Sequence, residues 1–506
     1  MKYILIKIIL CINFCIIYSF NILIHNIFSS KSHSVSIHPL AKELVLQGNN
    51  VTLLNYGVKS IGMYDGILTK EILFNDTELY DTQIELFGRI TWRKPNPSTN
   101  QLLGKLVIKY GMYLSKNNDY INLINTKWDA IIVNEALFGQ GVLSAIYMKE
   151  KNNIPIISLS TTDYTFYQAL FRGLERYYLI EGNIYFNGEI EFKPENFYYR
   201  FITFINNIKE YNAYFYSISS MNQMIANFIN ITTSLEKFYS YSSWNIVETF
   251  DKLFLPSSLT SSITYTGSSC DSIVKMDNNF DTNLSYFIND EKSKGTIYMA
   301  FGSQMPWNWA PITVIKNFIN VFKRFNNYKI ILSININITN ITIPSNVLLV
   351  RWAPQTLILN HNKTKLFITH GGLKSFRESI CGEVPMLSIP FYIDQTKNSL
   401  NGYLLGISER LNRLKLSSNN IYNKIIKILK NQKYKLNIQK LRKIMVDRII
   451  NPTEECAYNI KKIIKIKHKY SDSNEFWQIT GRKINFMVKY FFDTLIFITF
   501  IVVLIL

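Results

Sequence analysis

The sequence predicts an α/β fold built on parallel strands and laid out in two successive segments. Two observations carry that expectation. Short apolar runs recur along the chain, and helix-length amphipathic stretches separate them, as in strand–helix–strand units. The pattern then begins afresh near residue 295, after a Ser/Thr-rich stretch from Pro256 to Ser272 that reads as a linker. The chain has 506 residues, 47% of them hydrophobic and 18% charged, which suits two or three globular domains with their own cores.

The first segment opens with the strand "NILIHN", Asn21 to Asn26. A helix "SIHPLAKELVLQGN" and a strand "NVTLLNY" follow. Farther on, "WDAIIVNEA" and "IPIISLS" read as buried strands with a helix between them. The region from Tyr164 to Trp244 is aromatic-rich with a helical period, a composition that fits an apolar pocket or simply core. The second segment opens with "GTIYMAFGSQ", Gly295 to Gln304. Its further strands are "YKIILSI", "NVLLVRW", "KLFITHGG" and "VPMLSIPF". After Asn419 the chain reads as helical to Lys469, and the lysines of "KKIIKIKHK" read as the solvated face of that last helix.

Both ends are apolar. "MKYILIKIILCINFCIIYSF" has the charged start and apolar run of a signal peptide, residues 1–20. The terminal "FMVKYFFDTLIFITFIVVLIL", Phe486 to Leu506, reads as a membrane anchor with Lys489 and Asp493 near the interface. Between them the sequence divides at 21–265 and 266–485. Asn-x-Ser/Thr acceptors occur at Asn50, Asn75, Asn230, Asn283, Asn337, Asn340 and Asn362; in an Asn-rich chain such triplets arise by chance, so they permit glycosylation without arguing for it. Beyond the signal, Cys270, Cys381 and Cys456 give neither a disulfide framework nor a zinc spacing. The net charge of +19 is spread along the chain without a dense basic block, which argues against nucleic acid as the partner.

The chemistry concentrates at strand ends. In open α/β sheets ligands bind beyond the carboxyl ends of the strands. "KLFITHGG" places His370 at such an end, and Gly371 and Gly372 let backbone amides approach a ligand at a helix N-terminus, where a phosphate is favoured. Ser375 and Glu378 lie three apart on that helix, so they share a face, and a carboxylate there can accept from ribose hydroxyls. Trp352 and Gln355 in "RWAPQ" offer a stacking face and an amide edge for a nucleobase, and Ser303 in "FGSQ" a small hydroxyl.

These residues stand in "WAPQxxxLxH…FITHGGxxSxxES…GxVPMxxxPFxxDQxxN", a pattern that resembles the signature of the UDP-glycosyltransferases of the glucuronosyltransferase superfamily. The resemblance is close from Gly295 to Ser399 and colinear elsewhere. It implies a GT-B fold, two Rossmann-like domains facing across a cleft, with the C-terminal membrane helix added. It implies transfer of a glucuronosyl or glucosyl unit from a UDP-sugar to a small lipophilic acceptor, with inversion and with no cofactor or metal. By position, Trp352 and Gln355 hold uracil, Glu378 the ribose, Ser303, His370, Gly372 and Ser375 the diphosphate, and Asp394 and Gln395 the donated sugar. The resemblance also implies a catalytic base at His33 in "SSKSHSVSIHPL", with His25 and His38 as alternatives. A carboxylate should orient that base. An ungapped reading puts Asn134 there; one inserted residue puts Glu135 there and is the reading preferred. Were Asn134 to hold the position, the rival reading is a membrane-tethered nucleotide-sugar binder without turnover. The resemblance and the two apolar ends together place the chain in the endoplasmic reticulum membrane as a single-pass protein with a lumenal body, and leave room for a homo-oligomer.

Overall fold

The computed structural model describes residues 19–505 apart from 28–30, 64, 93–97, 136–139, 163–171, 173–194, 206–234, 251–261, 271–281, 303–304, 337–340, 392–393 and 471–491. Two all-parallel sheets organise them. The first has seven strands in the order β3-β2-β1-β4-β5-β6-β7. These are β1 (Asn21–His25), β2 (Asn50–Gly57), β3 (Leu68–Leu73), β4 (Ala130–Asn134), β5 (Ile156–Ser160), β6 (Ser242–Val247) and β7 (Ile263–Tyr265). The second has six, in the order β10-β9-β8-β11-β12-β13. Its strands are β8 (Thr296–Ala300), β9 (Lys329–Ser333), β10 (Val347–Val350), β11 (Thr364–Thr369), β12 (Met386–Ser388) and β13 (Ser408–Arg410).

In each sheet the chain winds outward from a central strand and then returns to that strand's other side. The reversal leaves a crevice beyond the carboxyl ends of β1 and β4 in one sheet, and of β8 and β11 in the other. Register fixes what lines each crevice. His25 pairs with Leu54 and Val133. Thr369 pairs with Ala300 and Ser388. The central strands are buried on both faces, which is why β1, β4 and β5 read as unbroken apolar runs rather than alternating ones.

Between the strands lie α1 (Lys31–Leu46), α2 (Thr77–Trp92), α3 (Ser98–Ser115), α4 (Asn118–Asn125), α5 (Gln140–Asn152) and α6 (Leu235–Tyr241) in the first half. The second half has α7 (Thr282–Ile288), α8 (Ile312–Arg324), α9 (Gln355–Asn360), α10 (Leu373–Cys381), α11 (Asp394–Leu404), α12 (Ser418–Lys430), α13 (Lys433–Val446), α14 (Pro452–Lys469) and α15 (Phe492–Ile505). Helix α8 shows the packing logic. Its Val314, Ile315, Phe318, Ile319 and Phe322 are buried on one stripe, and they meet Ile330 and Leu332 of β9 in a shared core.

Helix α14 lies late in the chain, yet it packs on α1 and on β6 and β7 of the first sheet. Cys456, Ala457, Ile460, Ile463 and Ile464 join Ile37, Leu40 and Leu44 in one core, while Lys462 and Lys465 face solvent. Helix α14 thus fastens the second half back to the first. A second fastening is aromatic. Trp92 at the end of α2 donates its indole N–H to the carbonyl of Pro306 at 3.1 Å and packs against Trp307 and Phe391.

Cys270 and Cys381 form a disulfide, with Cα atoms 5.7 Å apart. Their separation of 111 residues hid this pairing from the sequence, in which the three cysteines gave no disulfide framework. Cys456 is free and buried. Helix α15 has 14 residues, about 21 Å at the helical rise, with exposed apolar side chains from Leu495 to Leu504. Among the described residues no helix is long and apolar enough to cross a membrane. The expected signal, apart from Ser19 and Phe20, and residues 486–491 of the expected anchor lie outside the described residues.

Candidate active site

The donor-side residues assemble around the start of α10. Gly372 caps that helix with extended backbone (φ −61°, ψ 145°). The ring of His370 lies between two glycines. A Cβ on Gly372 would stand 2.4 Å from its Nε2, and one on Gly302, which has φ +73°, would stand 3.1 Å from its Cε1. Glycine is required at both places for the ring to sit there. Burial holds the His370 imidazole at a pKa of about 4, so it is neutral at physiological pH.

One turn into α10 the amide of Gln355 donates to Ser375 Oγ at 3.0 Å and to the carboxylate of Glu378. Thr356 reaches the other Glu378 oxygen at 3.5 Å, and Tyr298 donates to Gln355 Oε1 at 3.4 Å. Five residues from three elements are thereby locked before any ligand enters. Burial raises Glu378 above the usual carboxylate range, against the pull of these hydrogen bonds. Trp352, three residues before Gln355, is 70% exposed.

Asp394, first residue of α11, accepts from the backbone N–H of Leu373 at 3.1 Å and from Asn398 Nδ2 at 2.9 Å. Its carboxylate therefore satisfies the N-terminus of α10. Burial pushes it up to about 6, and Lys374 pulls it back. Gln395 is buried, and its side chain accepts from the Phe391 N–H at 2.9 Å. Ser303 lies outside the described residues.

On the opposite side His33 sits in the first turn of α1, which begins at Lys31, upstream of the stretch whose periodicity reads as helix. Pro39 lies inside this helix rather than in its first turn. His33 Nδ1 meets Thr161 Oγ1 just beyond β5, and Thr161 donates to Asn134 Oδ1 at 3.2 Å. The direction of this chain follows from one backbone group. The N–H of Ile27 can only donate, and it donates to Asn26 Oδ1 at 2.9 Å. That oxygen also accepts from Asn134 Nδ2 at 2.9 Å, so the other end of the Asn134 amide is its oxygen. Thr161 must donate to it, and a lone pair of Thr161 is left to accept the Nδ1–H of His33. The tautomer that results leaves the Nε2 lone pair of His33 as a base. Burial holds His33 well below its ordinary pKa, and Lys374 adds to that.

Glu135 does not join this chain. It is fully buried and binds Arg172 Nη2 at 2.6 Å and the Tyr239 hydroxyl at 2.6 Å. Arg172 also reaches Ser158 at 2.9 Å and Asn245 at 2.8 Å. The preferred expectation that Glu135 orients His33 therefore yields to the geometry, in which Asn134 and Thr161 do so. Thr161 escaped the sequence reading because it lies 128 residues from His33 in the chain. Only the parallel pairing of β4 and β5 brings the two strand ends together. His25 is a core residue. It is fully buried, bonded to the Asn26 carbonyl at 3.0 Å, edged by Tyr56 and Tyr120, and held at about 4 by burial. His38 lies farther along α1, half-buried. Among the described residues no group of three or more His, Cys, Asp or Glu side chains comes together as a metal site would need.

Comparison with known proteins decides the family. The family model described as "UDP-glucoronosyl and UDP-glucosyl transferase" matches residues 196–471, more than half of the chain. The chain belongs to this family. A UDP-glucuronosyltransferase of Pleuronectes platessa is 39% identical over 125 residues, 25% of this chain and 26% of that protein. The ecdysteroid UDP-glucosyltransferase of Lacanobia oleracea granulosis virus is 31% identical over 188 residues, 37% of this chain and 40% of that one. The matched stretch thus spans about a quarter to two fifths of these relatives' length. Among solved structures, the glycosyltransferase of kitacinnamycin superposes with a TM-score of 0.61 at 14% identity, covering 88% of this chain and all of that one. A UDP-glucosyltransferase of Polygonum tinctorium gives 0.58 at 14%, covering 88% and 99%. The family member therefore has the two-domain α/β GT-B fold expected of it.

Proposed function

We propose that the chain transfers a glycosyl unit from a UDP-sugar to the hydroxyl of a small lipophilic acceptor, with inversion. The observation that carries this reading is the meeting of the two crevices. Lys374 and Arg377 of α10, on either side of Ser375, reach Glu248 at the end of β6 in the other domain at 3.7 and 3.0 Å. That contact supports a reading in which a base and a nucleotide-sugar site share one cleft. In the reaction the acceptor O–H gives its proton to His33 Nε2 while its oxygen attacks the anomeric carbon. The bond from that carbon to the β-phosphate oxygen breaks, and UDP leaves with the electron pair. Gln355 and Trp352 take the uracil, Glu378 the ribose, Ser303, His370, Gly372 and Ser375 the diphosphate, and Asp394 and Gln395 the sugar hydroxyls. Thr161 and Asn134 hold the base in its working tautomer.

The donor is UDP-glucuronate or UDP-glucose, and the body works in the lumen of the endoplasmic reticulum, tethered through residues 486–506. Incubation of the full chain with each UDP-sugar and a panel of phenols and sterols tests the reading. One glycoside of inverted anomeric configuration, with stoichiometric UDP, supports it and identifies the donor. UDP binding without any product would instead favour the tethered binder, in line with the amide of Asn134 at the place of the family's carboxylate.

A further inference from the structure

We infer that Lys374 is the cation that receives the diphosphate of the nucleotide donor, leaving Glu248 of the opposite domain to do so. This deepens the UDP-sugar reading and rests on it. The donor face as described is rich in carboxylates, for Asp394 caps α10 and Glu378 stands one turn along it. A diphosphate entering there needs a positive partner. Lys374 is the second residue of α10, in a first turn without acidic residues. A lysine at a helix N-terminus opposes the helix dipole, so its own element does not favour it there. An anion at the helix end removes that cost.

The resting partner of Lys374 is loosely held. Glu248 follows β6 of the first domain and is buried, with Arg377 Nη1 at 3.0 Å from one carboxylate oxygen. The ammonium of Lys374 lies 3.7 Å from the other, and that oxygen has no hydrogen-bond partner. Arg377 thus already serves Glu248, and Lys374 can turn toward an incoming phosphate without orphaning the carboxylate. Lys374 follows Leu373, whose N–H donates to the Asp394 carboxylate at 3.1 Å, and its ammonium faces Glu248 of the other domain, so its charge stands where the two domains meet. Arg377 on the same helix and the buried Glu248 opposite are the other charges that bear on this exchange. When the diphosphate neutralises Lys374, the barrier to a proton on His33 falls. Donor binding in this way readies the base that the acceptor then uses.

Calorimetric titration of the full chain with UDP and with uridine tests the exchange. Lys374→Met is expected to weaken UDP by roughly 10- to 150-fold, the range of a charge-assisted hydrogen bond, and to leave uridine unchanged. Lys374→Arg should recover most of the loss, and Glu248→Gln should tighten UDP by removing the competing charge. The acid limb of turnover should move to higher pH in Lys374→Met, because His33 then holds its proton more readily. A folded Lys374→Met protein with wild-type UDP affinity, or with uridine weakened in parallel, would overturn the inference, as would an unmoved acid limb. Should that variant not fold, Glu248→Gln decides: weaker UDP binding refutes the exchange. Failure of the wild-type chain to bind UDP would sink the UDP-sugar reading itself, and this inference with it.

Discussion

Residue identity alone could name the candidate donor residues that meet at α10 but not the partners of His33. Gln355, Ser375 and Glu378 were legible because two lie on one helical face and all three stand near strand ends. The choice between Asn134 and Glu135 was not, since adjacent residues leaving a strand point to opposite sides, and only packing tells which side faces the crevice. Glu135 turns into the core, where Arg172 and Tyr239 take both its oxygens. Glu135→Gln should therefore cost stability rather than chemistry. It leaves the buried guanidinium without a counter-charge, a loss of about 3–5 kcal/mol by analogy with broken buried pairs. Denaturant unfolding should show this, while single-turnover rate per folded molecule stays at the wild-type value. A slowed reaction in a fully stable variant would return Glu135 to the side of the base.

At the scale of elements, α10 and its approach show how much of the site is backbone. The His-Gly-Gly stretch signalled a close approach to a ligand, and the structure adds a second demand on the same glycine. Gly372 must leave room for the His370 ring. Gly372→Ala should displace that ring, since the new Cβ would start 2.4 Å from Nε2. UDP binding is expected to weaken by about 10-fold or more as a charge-assisted donor is lost. Equal UDP affinity in the alanine variant, read by titration, would mean that His370 can move without consequence. Short polar elements were the ones the sequence concealed. β13, "SER", has no apolar run to betray it, and it is a strand because β12 offers it an edge. The Cys270–Cys381 bridge, which ties the end of α10 to the chain beyond β7, was equally hidden, because no local spacing encodes it.

The whole molecule is two doubly wound sheets joined by α14, Trp92 and the ion pairs of Glu248. The alternation of apolar runs and amphipathic stretches foretold the two sheets. It could not foretell that α14 returns to the first, because its buried stripe of isoleucines fits either partner. Buried histidines make the stability of the assembly sensitive to acid. His25 is held at about 4 when folded and returns to about 6.5 when unfolded. Below 6.5 the unfolded chain binds the extra proton, so stability falls as pH drops toward 4 and levels off beneath it. At pH 5 the loss from this group is about 2 kcal/mol at 1.36 kcal/mol per unit. His370 acts with the same sign, and Asp394, raised to about 6, acts oppositely between about 4 and 6. Comparing wild type with His25→Phe over pH 7 to 5 isolates the His25 share. Equal slopes of unfolding free energy against pH would show that His25 does not titrate on unfolding. In the proposed reaction the assembly brings His33 to a bound UDP-sugar, and one measurement addresses that directly. Single-turnover release of UDP is followed with saturating UDP-sugar and a responsive phenol, in wild type and in His33→Ala. The variant should be slower by about 10²–10⁴-fold, the usual worth of a general base, with UDP affinity unchanged. Equal rates in the two proteins would contradict the assignment of the base and the mechanism with it.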